Sequence, residues 1–218
     1  MTRDESERPD LRYAAETALV AAASAIPVVG GPISVVLDRT LQRTRQNIVE
    51  VAQAAVDEVG VADALVDRLE SDERLAYLLL NAAEAGERTS MAAKRRLLGR
   101  AVGRAARDGA RIDESEFQVR ALRDLDVPHV QAMSDIEEQT RRRDGTNPVI
   151  VVREALERYP APVRAALIQH GLVEQASTWD DMNAISGLND FGAQLLEDLR
   201  SEGAADQDDR VRRVSDPG

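Results

Sequence analysis

The chain has no cysteine in 218 residues, and that one absence removes disulfides, thiolate metal ligands and cysteine nucleophiles together. It agrees with a reducing cytoplasm, the expected compartment. Lysine is almost as scarce: Lys94 stands alone against 27 arginines, a bias that a GC-rich genome produces through its codons. A Schiff-base or phosphate-loop lysine would have to be Lys94, and its neighbours fit neither role. The aromatic residues are Tyr13, Tyr77, Phe117, Tyr159, Trp179 and Phe191, too few for an aromatic core. The only histidines are His129 and His170. One sits beside Pro128 in a helix's first turn, and the other sits at a helix C-terminus, where the dipole favours it. No H-E-x-x-H, P-loop, G-x-G-x-x-G or G-x-S-x-G string occurs, and no carboxylate lies in an apolar run that would raise its pKa. The sequence therefore offers no catalytic residue, no metal or cofactor site and no small-molecule substrate.

Alanine, leucine, arginine and glutamate dominate, which favours helix over strand. At this length a real core can be buried, in one large domain or two small ones. The net charge of −11 opposes attraction of the whole molecule to DNA or to anionic lipid. Residues 1–10 and 201–218 are polar with little apolar content, and they read as disordered tails. Between them lie a helical bundle over 11–143 and a second module over 147–200.

From Thr17 to Leu37 no charged residue occurs, a length that matches the ~20 residues of a membrane span. Pro27, Gly30, Gly31 and Pro32 interrupt the run, however, and each proline removes a backbone donor. The stretch reads as a tight turn between helices at about 10–25 and 33–58, a soluble hairpin rather than a span. Ala23-Ser24-Ala25 has the look of a signal cleavage site, but the chain's start is acidic where a signal peptide is basic. Further helices follow at 61–70, 72–86, from a cap at Thr89 or Ser90 to about 108, and from a capping-box-like Asp113 and Glu116 through Leu125. The last of these carries Phe117, Ala121, Leu122 and Leu125. A helix over 128–142 opens on Pro128, with Val130, Met133 and Ile136 inward. The loop at 141–148 is the best internal boundary.

Positive charge is concentrated in one place. Between Arg88 and Arg111 there are eight basic residues and a single acid, Asp108. Arg96, Arg100, Arg104, Arg107 and Arg111 are spaced four, four, three and four apart, so they form one stripe. Two readings stand. The stripe is an anion- or partner-binding face, or it pairs internally with carboxylates such as Asp57, Glu58, Asp63, Asp67 and Glu70. Gly99 and Gly103 on the same helix allow another helix to approach closely, either within the chain or in a second copy.

The second module reads as helices at 148–157 and 162–170, strands near 172–176 and 183–187 around a polar tip, and a helix over 189–200. Gly171 turns the chain out of its helix, and Asn189 caps the last one. The string GLVEQ…ISGLNDFGAQLLEDL resembles the wing and final helix of MarR-like winged-helix regulators. Gly171, Leu172, Val173, Leu188, Gly192, Leu195 and Leu196 carry the match, while Asn189 replaces the usual threonine. The whole order of elements also resembles Abi-alpha-like bacterial proteins linked to abortive phage infection, which implies a role in antiviral defence.

The expected fold is thus mainly α, a multi-helix bundle with a C-terminal winged-helix-like module and a short β-hairpin. In such a module the 162–170 helix presents Arg164, Gln169 and His170, and the tip carries Trp179 with Asp180 and Asp181. Residues 147–200 hold four arginines against eight acids. That balance favours contact with a protein, or self-association, over contact with DNA. A non-enzymatic binding or regulatory protein is the leading expectation. The alternatives are a nucleic-acid-binding regulator using the Arg96–Arg111 stripe and the wing, and a membrane-active effector using the 17–37 hairpin.

Overall fold

Alanine and leucine at helical spacing build most of the molecule. A computed structural model describes residues 32–142, 148–176 and 184–215. The chain divides into two compact units, Met1–Gln42 and Arg43–Gly218. Of the first, only 32–42 is described, as the opening stretch of a helix, and all packing below lies within the second. The hairpin turn expected near 27–31 and the loop expected at 143–147 lie outside the described residues. Among the described residues, no helix is long and apolar enough to cross a membrane.

The described elements are mainly helical. They comprise α1 (Pro32–Val59), α2 (Ala62–Ser71), α3 (Glu73–Glu87), α4 (Ala92–Arg107), a short 3-10 turn (Gly109–Arg111), α5 (Ile112–Asp124), α6 (Val127–Arg142), α7 (Pro148–Leu156), α8 (Ala161–Gln169), β1 (Val173–Ala176), β2 (Ala184–Leu188) and α9 (Asp190–Ser215). Most boundaries fall within a residue or two of those expected, because short polar side chains mark them. Asp72 lies between α2 and α3 and accepts hydrogen bonds from the amides of Arg74 (3.0 Å) and Leu75 (3.3 Å), so it occupies a strong N-cap position. Thr89 accepts from the Met91 amide at 3.2 Å just before α4. The start of α5 differs from expectation. Asp108 accepts from the Ala110 amide at 3.1 Å and opens the 3-10 turn, which runs straight into Ile112. Asp113 therefore lies inside the first helical turn and pairs with Arg74 instead of capping.

Helix α4 is the centre of the bundle. It packs against α3, α5 and α9, and most of its side chains are buried. It also meets the end of α1, and two glycines explain how close that approach is. A Cβ on Gly99 would lie 2.6 Å from Ala54 Cβ and inside contact with the Val51 carbonyl; one on Gly103 would lie 2.5 Å from Glu58 Cβ and 2.8 Å from the Ala55 carbonyl. The small-residue face is filled from within the chain. It is not a vacant surface for a second copy.

The core is one cluster running from Val51 and Ala55 on α1 to Leu195, Leu196 and Leu199 on α9. Met133 and Ile136 of α6 are fully buried, as expected, while Val130 is half-buried. Phe117 of α5 is 43% exposed, and its ring meets Phe191 of α9 with centroids 5.1 Å apart.

The two strands pair antiparallel, with Val173 opposite Leu188 and Ala176 opposite Ala184, and the register shifts between Glu174 and Gln175. Gly171 has a φ of 59°, a left-handed turn that a side chain would strain. Asn189 joins both ends of the hairpin to the last helix. Its side chain donates to the Gly171 carbonyl (2.7 Å) and accepts from the Gly192 amide (2.8 Å). The helix expected to end near 200 continues to Ser215 as α9, while 216–218 of the expected tail lie outside the described residues. On this continuation Glu202 is only 4% exposed and is held by two arginines of α4.

Candidate functional site

The arginine stripe of α4 resolves into five partnered side chains. Arg96 Nε donates to Glu202 Oε2 at 2.8 Å, its terminal nitrogen donates to the Glu202 carbonyl, and Arg100 takes the other carboxylate oxygen. Arg104 donates to Gln118 Oε1. Arg107 pairs with Glu58 at 2.8 Å. Arg111 pairs bidentately with Glu114 through two contacts of 3.1 Å, which raises its pKa. Of the five carboxylates expected as partners, Glu58 alone serves among the described residues, while Asp57 accepts from Gln53 at 2.8 Å. The stripe therefore binds the bundle together. Its far end also lines a polar cavity of about 260 Å³ with Phe191 and Asp198, but Arg104 and Arg111 reach that cavity already engaged.

The sole lysine and both histidines converge, although 76 residues separate Lys94 from His170. Lys94 is buried on α4, and its Nζ donates to the carbonyls of Leu125 (2.5 Å) and Arg123 (3.1 Å) at the end of α5. Those carbonyls carry the negative end of the helix dipole. Asp126 Oδ1 lies 4.0 Å from the same nitrogen, yet burial dominates and pushes the lysine's pKa down. His170 Nε2 lies 3.1 Å from Asp124 Oδ2. His129 Nδ1 accepts from the Asp126 amide at 3.0 Å, and burial lowers its pKa. The expectation that His170 is presented outward with Arg164 and Gln169 is corrected, since His170 is 4% exposed. It is drawn inward by the carboxylate at the end of α5. The cluster ties α4, α5, α6 and α8 together through groups that satisfy one another. No buried side-chain nitrogen or oxygen among the described residues lacks a partner, and no group of three acidic or histidine side chains there has a metal-holding arrangement.

A different arrangement appears where α7, α8 and β2 meet. They enclose a groove of about 300 Å³. Its floor is apolar, formed by Val149 and Leu156 of α7 and Ala184 and Ile185 of β2, all buried. Helix α8 adds Ala161, Ala165 and Ile168 as a wall. Helix α7 lines it at i, i+4 and i+7 with Val149, Arg153 and Leu156, and α8 at the same spacing with Ala161, Ala165 and Ile168 together with Arg164, so each helix places one arginine there. Arg153 is exposed and Arg164 half-buried. Neither guanidinium has an ion pair or hydrogen bond among the described residues. The α7–α8 turn that sets the groove's width is anchored by Tyr159, whose hydroxyl donates to Asp135 of α6. Burial, and then that hydrogen bond, push its pKa up to about 12. Arg158 joins the same carboxylate at 3.2 Å and lies over the tyrosine ring, 5.7 Å from its centroid.

Of the expected partner-binding residues, Arg164 lies in this groove. Gln169 is exposed at the end of α8 but does not line it. Trp179 lies outside the described residues. Arg153 was not expected. Its signal was a basic residue at i+4 from Val149, beside Glu154, in the largely apolar string PVIVVREAL. Comparison with known protein families, curated proteins and solved structures finds no match to this chain, so the meaning of the groove follows from its own chemistry.

Proposed function

We propose that the chain is a non-enzymatic binding and regulatory protein that docks another protein through its C-terminal half, used as a winged-helix-like module. The observation that carries this reading is the contrast between its two sets of arginines. The dense set on α4 and the turn after it is engaged within the chain, whereas Arg153 and Arg164 flank an apolar groove and are unpaired among the described residues. Arginine beside an apolar groove is the composition of protein contact sites, where a few such residues dominate the binding energy. The outward face of α8 supports the same reading. With His170 buried, Arg164 and Gln169 are the remaining long polar side chains among those expected to read a DNA groove. The eight carboxylates of 147–200 would repel phosphate.

The test is a photo-crosslinking side chain placed at the exposed Ala165, in the full chain and in its host cell, with the same group at the exposed Gln46 of α1 as control. Protein adducts specific to Ala165 are expected. Adducts to nucleic acid, or none beyond the control, would overturn the reading. A DNA titration at about 50 mM salt, where charge-driven binding is strong, gives no complex if the reading holds.

A further inference from the structure

A second feature of the surface matches the groove. On the outer face of α3, Tyr77 is 59% exposed and Leu80 63% exposed. The residues one turn beyond them, Glu73 and Glu84, are also exposed. The four lie at i, i+4, i+7 and i+11, so they form one stripe of two apolar side chains between two carboxylates. The groove has the opposite pattern, an apolar floor between two arginines. We infer that the occupant of the α7–α8–β2 groove is α3 of a second copy of this chain, with Tyr77 and Leu80 on the apolar floor and Glu73 and Glu84 facing Arg153 and Arg164. The inference rests on the protein-docking reading above and names the partner.

Charge complementarity is the argument for a second copy. The chain's net charge of −11 makes self-association unfavourable through most pairs of surfaces. A contact between copies must therefore join a local positive site to a local negative one, and these two faces supply both. Arginine fits the task because its planar fork accepts a carboxylate bidentately. Glu84 already meets Arg88 at 2.7 Å, but that is an exposed pair within one helix, worth little and easily exchanged. The groove is at the lower end of the ~300–1,000 Å³ of small-molecule sites, which suits two side chains on one helix better than a cofactor. Because the two faces are different surfaces, the contact is either exchanged reciprocally in a two-fold pair or runs head-to-tail into rings or open chains of subunits.

The test uses the full chain and light scattering after size exclusion, at loading concentrations rising to about 1 mM. The wild-type chain forms dimers and larger species that dissociate as salt rises. Arg153→Glu with Arg164→Glu removes one face, and Tyr77→Ser with Leu80→Ser removes the other; each double variant runs as a monomer with unchanged helicity by circular dichroism. Mixing the two double variants leaves one intact groove and one intact α3 face, so a dimer reappears and stops there. Adding Glu73→Arg and Glu84→Arg to the arginine-reversed chain restores assembly, because the charges are exchanged together. A wild-type chain that stays monomeric throughout, an assembly that neither double variant weakens by at least about tenfold, or a mixture that fails to pair would overturn the proposal. Failure here is separable from failure of the docking reading. A monomeric chain that still crosslinks a different protein from Ala165 keeps that reading and removes the second copy as its occupant.

Discussion

The molecule carries two arginine-bearing surfaces that the sequence ranks in one order and the fold in the other. The helix from Ala92 to Arg107 has the density, with its five-member stripe continuing to Arg111. Helices α7 and α8 contribute one groove arginine each. In the folded chain the dense set is held by Glu202, Gln118, Glu58 and Glu114, while the sparse pair is unpaired among the described residues. Local charge density does not measure available charge. In an acidic protein a basic cluster is the place where the chain's own carboxylates collect, and a lone arginine in an apolar stripe escapes them. If this comparison is right, substitutions around α4 cost stability, and substitutions at Arg153 and Arg164 cost contacts only.

The largest effect should come from Gly99→Ala. The added methyl has no room against Ala54 and the Val51 carbonyl, and backbone cannot rotate away as a side-chain end can. Helices α1 and α4 must separate, at a cost of about 3 kcal/mol of unfolding free energy. Chemical denaturation measures it. Gly203→Ala is the control. Nothing lies within 4 Å of that position in α9, so alanine should stabilise it by up to ~1 kcal/mol through helix propensity. Equal effects at the two glycines would break the claim that α4 is locked in place from within.

Glu202→Ala tests the electrostatic half of the same claim. The carboxylate is buried, and both of its oxygens are taken by arginine. Its loss leaves Arg96 and Arg100 without that partner. Removing one member of a fully buried pair costs ~3–5 kcal/mol, but Arg100 is half exposed and water recovers part of the loss. A decrease of about 2 kcal/mol is expected, with loosening of α9 visible in amide hydrogen exchange. A change under ~0.5 kcal/mol would place Glu202 among ordinary surface pairs and return the stripe to the list of available surfaces.

These two residues also mark where the sequence stops being readable. The β-hairpin, the Asn189 cap, the helix over 128–142 and the turn at Gly171 were legible because each depends on residues within a few positions of itself. The continuation of α9 was not, because Glu202 finds its arginines 102 and 106 residues away and 201–218 looks like polar tail on composition alone. The Gly99 and Gly103 face was legible as a face, but which helix covered it was not. His170 was read as exposed because its carboxylate comes from the end of another helix. Arg164 was legible from its place on α8, whereas Arg153 acquires meaning only when β2 closes the floor between the two helices.

The cluster at the α5–α6 turn asks whether Lys94, His129 and His170 belong with the engaged groups. His129 gives the sign. Burial lowers its pKa below 6.5, with Lys94 and His170 lowering it further and Asp126 acting against them. Above pH 6.5 the imidazole is neutral in both folded and unfolded chains, and its contribution to stability is complete. As the pH falls from 6.5 through the lowered native value, the unfolded chain takes up the proton first, so stability declines. His129→Gln removes that component, and its thermal melting temperature should fall less than that of wild type over the same acidification. A steeper fall in the variant would show that the folded state favours the imidazolium, contrary to a buried and engaged site.

The smallest effect is the one that separates the two surfaces most sharply. Arg153→Ala and Arg164→Ala, singly or together, should change the unfolding free energy by no more than about 0.5 kcal/mol, the range of ordinary surface substitutions. Among the described residues neither guanidinium satisfies a buried acceptor, so its removal strands no partner there; this is the condition under which charge deletion is cheap. Arg164 has the larger chance of a measurable loss, because it is half-buried and any packing of its methylene stem goes with it. Arg164→Met keeps the stem and removes the charge, which tells the two contributions apart. A cost for Arg164→Ala that Arg164→Met recovers belongs to packing, and the guanidinium is still free for a carboxylate from outside. A cost that persists in Arg164→Met would mean the charge is already engaged in the folded chain, and the contrast between the two surfaces would collapse.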